Sequence, residues 1–198
     1  SGQWTAGPSL PSEVNHGTAI AVNDKILIIG GRNSSDQNIN QTLEFDPAVN
    51  QWSVKAAMPT ARRGAKLVLL QGKVWAIGGY THTYSHTVEI YDVANNTWSA
   101  GPTLSTARHY ASAWVSNGRI FVAGGAGTAG SYHSSIEVFD TDSNQWTVSG
   151  NLPENNHYGD ATTLDQKVYL VAGLTAPNTA TNKVFAAMTI NSGSAAML

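Results

Sequence analysis

The apolar residues of this chain fall in short β-branched and aromatic runs, each closed by Gly, Asn or Asp. No stretch sustains the 3.6-residue apolar period of an amphipathic helix. The segment 110–148 shows the pattern well. Tyr110–Val115 alternates loosely and reaches the turn sequence Ser116-Asn117-Gly118, a strong signal for two strands joined by a tight turn. Ile120–Ala123 is a compact run that stops at Gly124-Gly125, where glycine permits a close backbone approach or a positive φ. Ile136–Phe139 and Gln145–Val148 complete a set of four predicted strands. Helices are expected to be nearly absent.

The set recurs. Trp4, Trp52, Trp98 and Trp146 lie 48, 46 and 48 residues apart, and Gly31, Gly79, Gly125 and Gly173 keep the same spacing. Between these markers come Leu43-Glu44-Phe45-Asp46, Val88-Glu89-Ile90-Tyr91-Asp92 and Ile136-Glu137-Val138-Phe139-Asp140, followed by Asn50, Asn96 and Asn144 in Asn-x-Trp. A fixed period of this length marks a repeat architecture, and a four-stranded unit repeated radially is a β-propeller blade. The chain therefore reads as all-β, a single domain over residues 1–198 with repeats at about 5–52, 53–98, 99–146 and 147–198.

A strand ending in a double glycine, then a Glu-aromatic-Asp strand and then Asn-x-Trp together resemble the kelch-repeat family, and the resemblance covers almost the whole chain. It implies a β-propeller of four kelch-type four-stranded blades. The last unit departs from the pattern: Ala172 replaces the first glycine, no Glu-aromatic-Asp follows, and no tryptophan appears near Ser194. The N-terminus offers a remedy, because Gln3-Trp4-Thr5-Ala6-Gly7-Pro8 parallels Thr97-Trp98-Ser99-Ala100-Gly101-Pro102. A strand around residues 1–8, joined to Lys183–Ile190, is expected to complete the fourth blade and close the ring, removing exposed sheet edges. A fragment of a larger propeller and a multi-chain assembly, homo-oligomers included, stay open as alternatives.

Repetition also discounts tempting chemistry. Gly125-Ala126-Gly127-Thr128-Ala129-Gly130 fits a dinucleotide fingerprint, but a strand follows where that site needs a helix N-terminus. The acids Glu44 with Asp46, Glu89 with Asp92 and Glu137 with Asp140 are read as one repeat position serving turn and backbone donors. The tryptophans are expected to pack between adjacent blades.

Antiparallel connectivity assigns loops to faces. One edge collects the lead-ins to the first strands and the links between second and third strands. All six histidines, four of the five arginines and five of the seven tyrosines fall there. The candidate ligand-binding set is His16, Arg32, Arg62, Arg63, Tyr80, His82, Tyr84, His86, Arg108, His109, Tyr110, Tyr132, His133, His157 and Tyr158. His16, Arg63, His109 and His157 are taken as one repeat position, which also suits a structural cap, whereas His82, Tyr84, His86, Tyr132 and His133 obey no repeat rule. The opposite edge receives Asp46, Asp92, Asp140, Asp142 and Asp165, so the molecule is expected to be electrically two-faced.

Composition narrows the function. Only 12% of residues are charged and the net charge is −2, which gives no field for nucleic acid or anionic lipid. No apolar run approaches a membrane span. With no cysteine, thiolate metal sites, disulfides and the cysteine-linked tyrosine chemistry of one kelch-like relative are all absent. No cofactor or metal is expected, since His82 and His86, four apart on a loop, do not align as they would on a helix. The reading is a noncatalytic binding module for a protein segment or a glycan, with an enzyme acting on a sugar or small metabolite as the alternative. Asn33, Asn40 and Asn95 head glycosylation sequons, and the neutral polar composition favours an extracellular or periplasmic setting.

Overall fold

A computed structural model describes residues 2–188. Blade 1 is β1 (Thr18–Val22), β2 (Lys25–Ile29), β3 (Thr42–Asp46) and β4 (Gln51–Val54). Blade 2 is β5 (Lys66–Leu70), β6 (Lys73–Ile77), β7 (Val88–Asp92) and β8 (Thr97–Ala100). Blade 3 is β9 (Ser112–Ser116), β10 (Arg119–Ala123), β11 (Ser135–Asp140) and β12 (Gln145–Asn151), with one 3-10 turn at Thr128–Gly130 inside the glycine-rich loop. Blade 4 has β13 (Asp160–Leu164), β14 (Lys167–Val171) and β17 (Val184–Met188), and its link carries a small hairpin of β15 (Leu174–Ala176) and β16 (Thr179–Ala180). Each blade is an antiparallel meander, and no α-helix occurs among the described residues.

Local chemistry explains the strands. The first two strands of every blade are joined by two residues that both take a positive φ: Asn23-Asp24, Gln71-Gly72, Asn117-Gly118 and Asp165-Gln166. That is the turn whose twist matches paired strands. Before each outer tryptophan, Asn50, Asn96 and Asn144 adopt the left-handed conformation that Asn tolerates. Tyr110 is not the start of a strand, as its alternation suggested, but a left-handed residue ahead of β9.

Blades pack face to face. Val22, Leu27, Ile29 and Met58 meet Leu67, Val74, Ala76 and Tyr91 between blades 1 and 2. Val68, Trp75, Ile77 and Val88 meet Ala113, Ile120, Val122 and Phe139 between blades 2 and 3. Ala123 and Leu152 meet Leu170 between blades 3 and 4, with Trp114, Ile136 and Phe185 alongside. Each outer tryptophan rests against the aromatic of β3, β7 or β11. Its indole N–H donates to the linker leading into its own blade: Trp52 to Pro8, Trp98 to Ala56 and Trp146 to Pro102.

Successive blades are tied at the inner rim. The second glycine N–H of each pair donates to a carbonyl of the next lead-in: Gly31 to Arg62 at 2.9 Å, Gly79 to Arg108 at 2.6 Å and Gly125 to Asn156 at 2.7 Å. The approach is so close that a Cβ on Gly30, Gly78 or Gly124 would lie 2.2–2.5 Å from that same carbonyl. No such carbonyl faces Ala172 among the described residues, and the position holds a side chain at φ 58°.

Two expectations are corrected. Residues 2–10 form no strand, Trp4 is 100% exposed, and β17 has no fourth strand beside it among the described residues. The N-terminal segment follows the linker path on blade 1, through Pro8 and Trp52, and does not reach blade 4; residues 189 and 190 of the expected partner strand lie outside the described residues. Glu44 is also out of register. Leu27 pairs with Glu44 whereas Trp75 pairs with Ile90, so Leu43 holds the place that Glu89 and Glu137 hold elsewhere. A shift of one residue turns a strand side chain to the opposite face, and Glu44 accordingly meets Lys25 and Lys55.

Gly78→Ala is expected to cost more than about 2 kcal/mol of stability, combining a left-handed alanine with a backbone clash. Urea unfolding beside Ala172→Gly, expected to be near neutral, provides the check.

Candidate functional site: the axial mouth

The lead-ins to the four first strands converge on the propeller axis. Bridge pairs align Asn15, Arg63, His109 and His157, so His16 belongs one residue later, with Gly64, Tyr110 and Tyr158. All four members of this second set have positive φ, at 53°, 61°, 50° and 63°. The reason lies in a backbone collar: Gly64 N–H donates to His16 C=O, Tyr110 N–H to Gly64 C=O, and Tyr158 N–H to Tyr110 C=O. Holding bulky His and Tyr in this sparsely populated region requires that surrounding contacts over-determine it.

The side chains of the collar form the mouth. The Tyr110 hydroxyl is bonded to His16 Nδ1 across the axis, and the Tyr110 and Tyr158 rings lie 4.1 Å apart. A cavity of about 230 Å³ opens between them, lined also by Thr18, Lys66 and Asp160. Lys66 and Asp160 form an ion pair there. These three residues come from the first strands themselves; the sequence places Asp160 among the few acids of this edge, whereas Thr18 and Lys66, inside strands, give no loop signal.

Outside the collar, each link side chain meets the lead-in of the next blade. Asn38 accepts from Arg63 at 3.0 Å, Tyr84 contacts His109 at 5.9 Å between rings, and Tyr132 contacts His157 at 5.1 Å. Asn38, Tyr84 and Tyr132 bridge Arg32, Tyr80 and Ala126 in the same way. Tyr84 and Tyr132 therefore do follow a repeat, one hidden by unequal link lengths. The Arg63 guanidinium lies 4.4 Å over the Tyr80 ring, a cation–π contact. Gly64 makes room for the neighbouring imidazole, since a Cβ there would come 2.6 Å from His109 Cδ2.

Not every candidate reaches this surface. Arg62 and Arg108 are 0% and 1% exposed. Arg62 pairs with Glu89 at 3.0 Å and donates to Ala76 C=O. Arg108 pairs with Glu137 at 3.0 Å and also donates to Gly124 and Ser135 carbonyls, while Glu137 accepts from Ser105 and Thr106 N–H. The remaining blades have neither partner: Val14 with Leu43 in blade 1, Asn156 with Phe185 in blade 4. Both charges come or go together, as expected when an unpaired buried ion is far costlier than none. His82 and His86 are exposed and stand apart from the axis, and His133 is tucked beside Gly127. Among the described residues no three His, Asp or Glu groups gather in metal-binding geometry.

The two-faced charge dissolves in the same manner. At the opposite edge Asp46, Asp92 and Asp140 cap turns and pair with Lys25, Lys73 and Arg119. At the mouth edge Arg32 holds Asp36 at 2.6 Å, and Glu154 pairs with Lys183. Arg63 is the one arginine of that edge without a carboxylate among the described residues.

Burial governs the imidazoles. It pulls His109 down to about 3, helped by the nearby His157, Arg63 and His16, and alone it lowers His157 to about 4. Desolvation, then Arg32 and Arg63, lower His16 against the opposing pull of Asp36. Burial and then Tyr158 push the Tyr110 hydroxyl up to about 12. At neutral pH the mouth thus presents the neutral imidazoles of His109 and His157, the protonated Tyr110 hydroxyl and the Arg63 guanidinium, which has no carboxylate partner among the described residues.

A radial array of antiparallel blades, three of them four-stranded with a double glycine at the end of the second strand, defines a kelch-type β-propeller. The chain belongs to the KLHDC2/KLHL20/DRC7 Kelch-repeats domain family, whose model matches residues 2–173. It is similar to Beta-scruin of Limulus polyphemus, 32% identical over 42% of this chain and 9% of that protein. It is also similar to Kelch-like protein 34 of Homo sapiens, 35% identical over 46% of this chain and 15% of that protein. The chain thus spans a small part of these relatives. A solved structure, that of YjhT, superposes with a TM-score of 0.84 over 96% of this chain and 70% of that one at 20% identity, which speaks for the fold alone.

Two outcomes follow for the buried groups. Arg108→Met alone is expected to cost about 3–5 kcal/mol, and adding Glu137→Leu to recover at least about half of it, as measured in a double-mutant cycle. The histidines add a pH dependence. In the unfolded chain both titrate near 6.5, so below that pH the unfolded state binds protons that the fold refuses. Stability is therefore full above 6.5 and falls as pH drops toward the folded values. The expected slope is about 1.4 kcal/mol per pH unit for each histidine. Denaturation from about pH 7.5 to about 4.5 measures it, and His109→Phe should remove about half of the slope.

Proposed function

We propose that the chain is a noncatalytic binding module that seats a protein segment on the axial mouth, with a carboxylate of that segment against Arg63. The observation that carries the reading is the unspent guanidinium of Arg63, fixed by Asn38 and the Tyr80 ring, beside an aromatic-walled cavity. A planar, pre-positioned guanidinium suits bidentate capture of a carboxylate, and the Tyr110, Tyr158 and His16 rings supply amphipathic walls for an apolar neighbour. Loops on a rigid scaffold are where such residues concentrate. Kelch-repeat relatives are generally protein-interaction modules, which agrees with this reading.

A peptide-library and glycan screen on the wild-type chain beside Arg63→Ala and Arg63→Lys tests it. Peptide binding is expected to weaken roughly tenfold or more in Arg63→Ala, to recover only partly in Arg63→Lys, and to fall with salt. Peptide binding unchanged in Arg63→Ala would refute the site, and capture of glycans alone would reassign the ligand class.

A further inference from the structure

The cavity at the collar holds one ion pair that the repeat does not call for. Lys66 and Asp160 are the first residues of β5 and β13, and the equivalent places in β1 and β9 hold the neutral Thr18 and Ser112. Thr18 donates to Ala65 C=O and Ser112 is buried. Lys66 and Asp160 instead reach across the axis to each other, from blade 2 to blade 4. Every other ion pair among the described residues stays within one blade and its adjoining linkers. Unlike Arg62 with Glu89 or Arg108 with Glu137, this pair is not sealed in a blade junction.

Its two partners are unequal. The Lys66 side chain is 22% exposed and that of Asp160 is 73% exposed. Asp160 also accepts from Ala161 N–H at 2.8 Å, so without Lys66 it is still satisfied by that amide and by water. An exposed pair of this kind contributes little to stability. Lys66 is more enclosed, and no second anion lies beside it among the described residues. An enclosed charge without a counter-ion is costly, so whatever releases Asp160 must bring an anion to Lys66. Asp160 is the single acid among the described residues lining the cavity, and its departure leaves a cationic pair. Arg63 precedes Lys66 by three residues, at most about 10 Å along an extended chain. Side chains of neighbouring residues in one bound segment span that distance.

We infer that Lys66 receives a second acidic group of the ligand, and that Asp160 is an internal competitor which that group displaces. The inference rests on the reading of Arg63 given above. It makes the ligand an acidic segment with two carboxylates close together, one for each cation. Asp160 then acts as a filter: a segment with one acid seats at Arg63 and leaves the Lys66–Asp160 pair closed.

An array of hexapeptides, randomised except for one fixed glutamate or for two, tests this on the full chain. The wild-type chain is expected to favour the two-glutamate set roughly tenfold. Asp160→Asn removes the competitor and is expected to raise affinity for that set several-fold, the opposite of what a structural tie across the axis gives. Lys66→Gln is expected to abolish the preference between the sets, and Lys66→Arg to keep most of it. If melting shows that Lys66→Gln does not fold, Asp160→Asn and Lys66→Arg still decide. A wild-type chain without the preference, or an Asp160→Asn chain that binds the two-glutamate set no tighter, overturns the inference. Where binding in that case still depends on Arg63, the reading of the mouth stands. Binding indifferent to Arg63→Ala, or no binding at all, overturns both.

Discussion

Everything at the axis depends on how closely one blade's glycine pair approaches the next blade's lead-in. The hydrogen bond from Gly31, Gly79 or Gly125 to the following carbonyl sets the spacing at the inner rim, and a first glycine without a Cβ is the condition for it. Once that spacing is fixed, each lead-in must bend sharply to enter its first strand. The bend places His16, Gly64, Tyr110 and Tyr158 in the left-handed region and stacks their amides into the collar. The aromatic mouth is thus a by-product of the blade junction, with its strain held by the same packing that holds the fold.

Charge follows the same economy of position. Arg62 and Arg108 lie within the blade junctions, where desolvation would be ruinous without Glu89 and Glu137, and where the guanidinium forks also satisfy strand carbonyls that the junction would otherwise bury. Blades that lack the arginine lack the glutamate in the same place. What remains for recognition is therefore small: neutral imidazoles, tyrosine rings and one guanidinium. On the reading proposed above for Arg63, such a mouth would select by shape and by a single charge-assisted contact there rather than by a broad field.

The ends of the arc obey the rule that sheet faces and edges seek cover. The interior blades cover one another with aliphatic and aromatic residues, and the outer faces of blades 1 and 4 carry residues of similar kind that are partly exposed among the described residues.

The repeat was legible in the sequence because its markers are local necessities: a glycine pair where a backbone approaches, Asn at a left-handed turn, Trp over an aromatic, and Asx at hairpin turns. Those residues decided strand order, blade count and the gathering of histidine, arginine and tyrosine at one edge. Tertiary structure decided which of them face solvent. Arg62 and Arg63 are adjacent, yet one is sealed in a junction and the other is free over Tyr80, because successive residues point to opposite sides of the lead-in. The displacement of Glu44 and the shared register of Asn38, Tyr84 and Tyr132 were likewise out of reach, since motif spacing cannot reveal a one-residue slip where loop lengths differ. Alternation with a period of two makes that slip decisive, and only paired strands measure it.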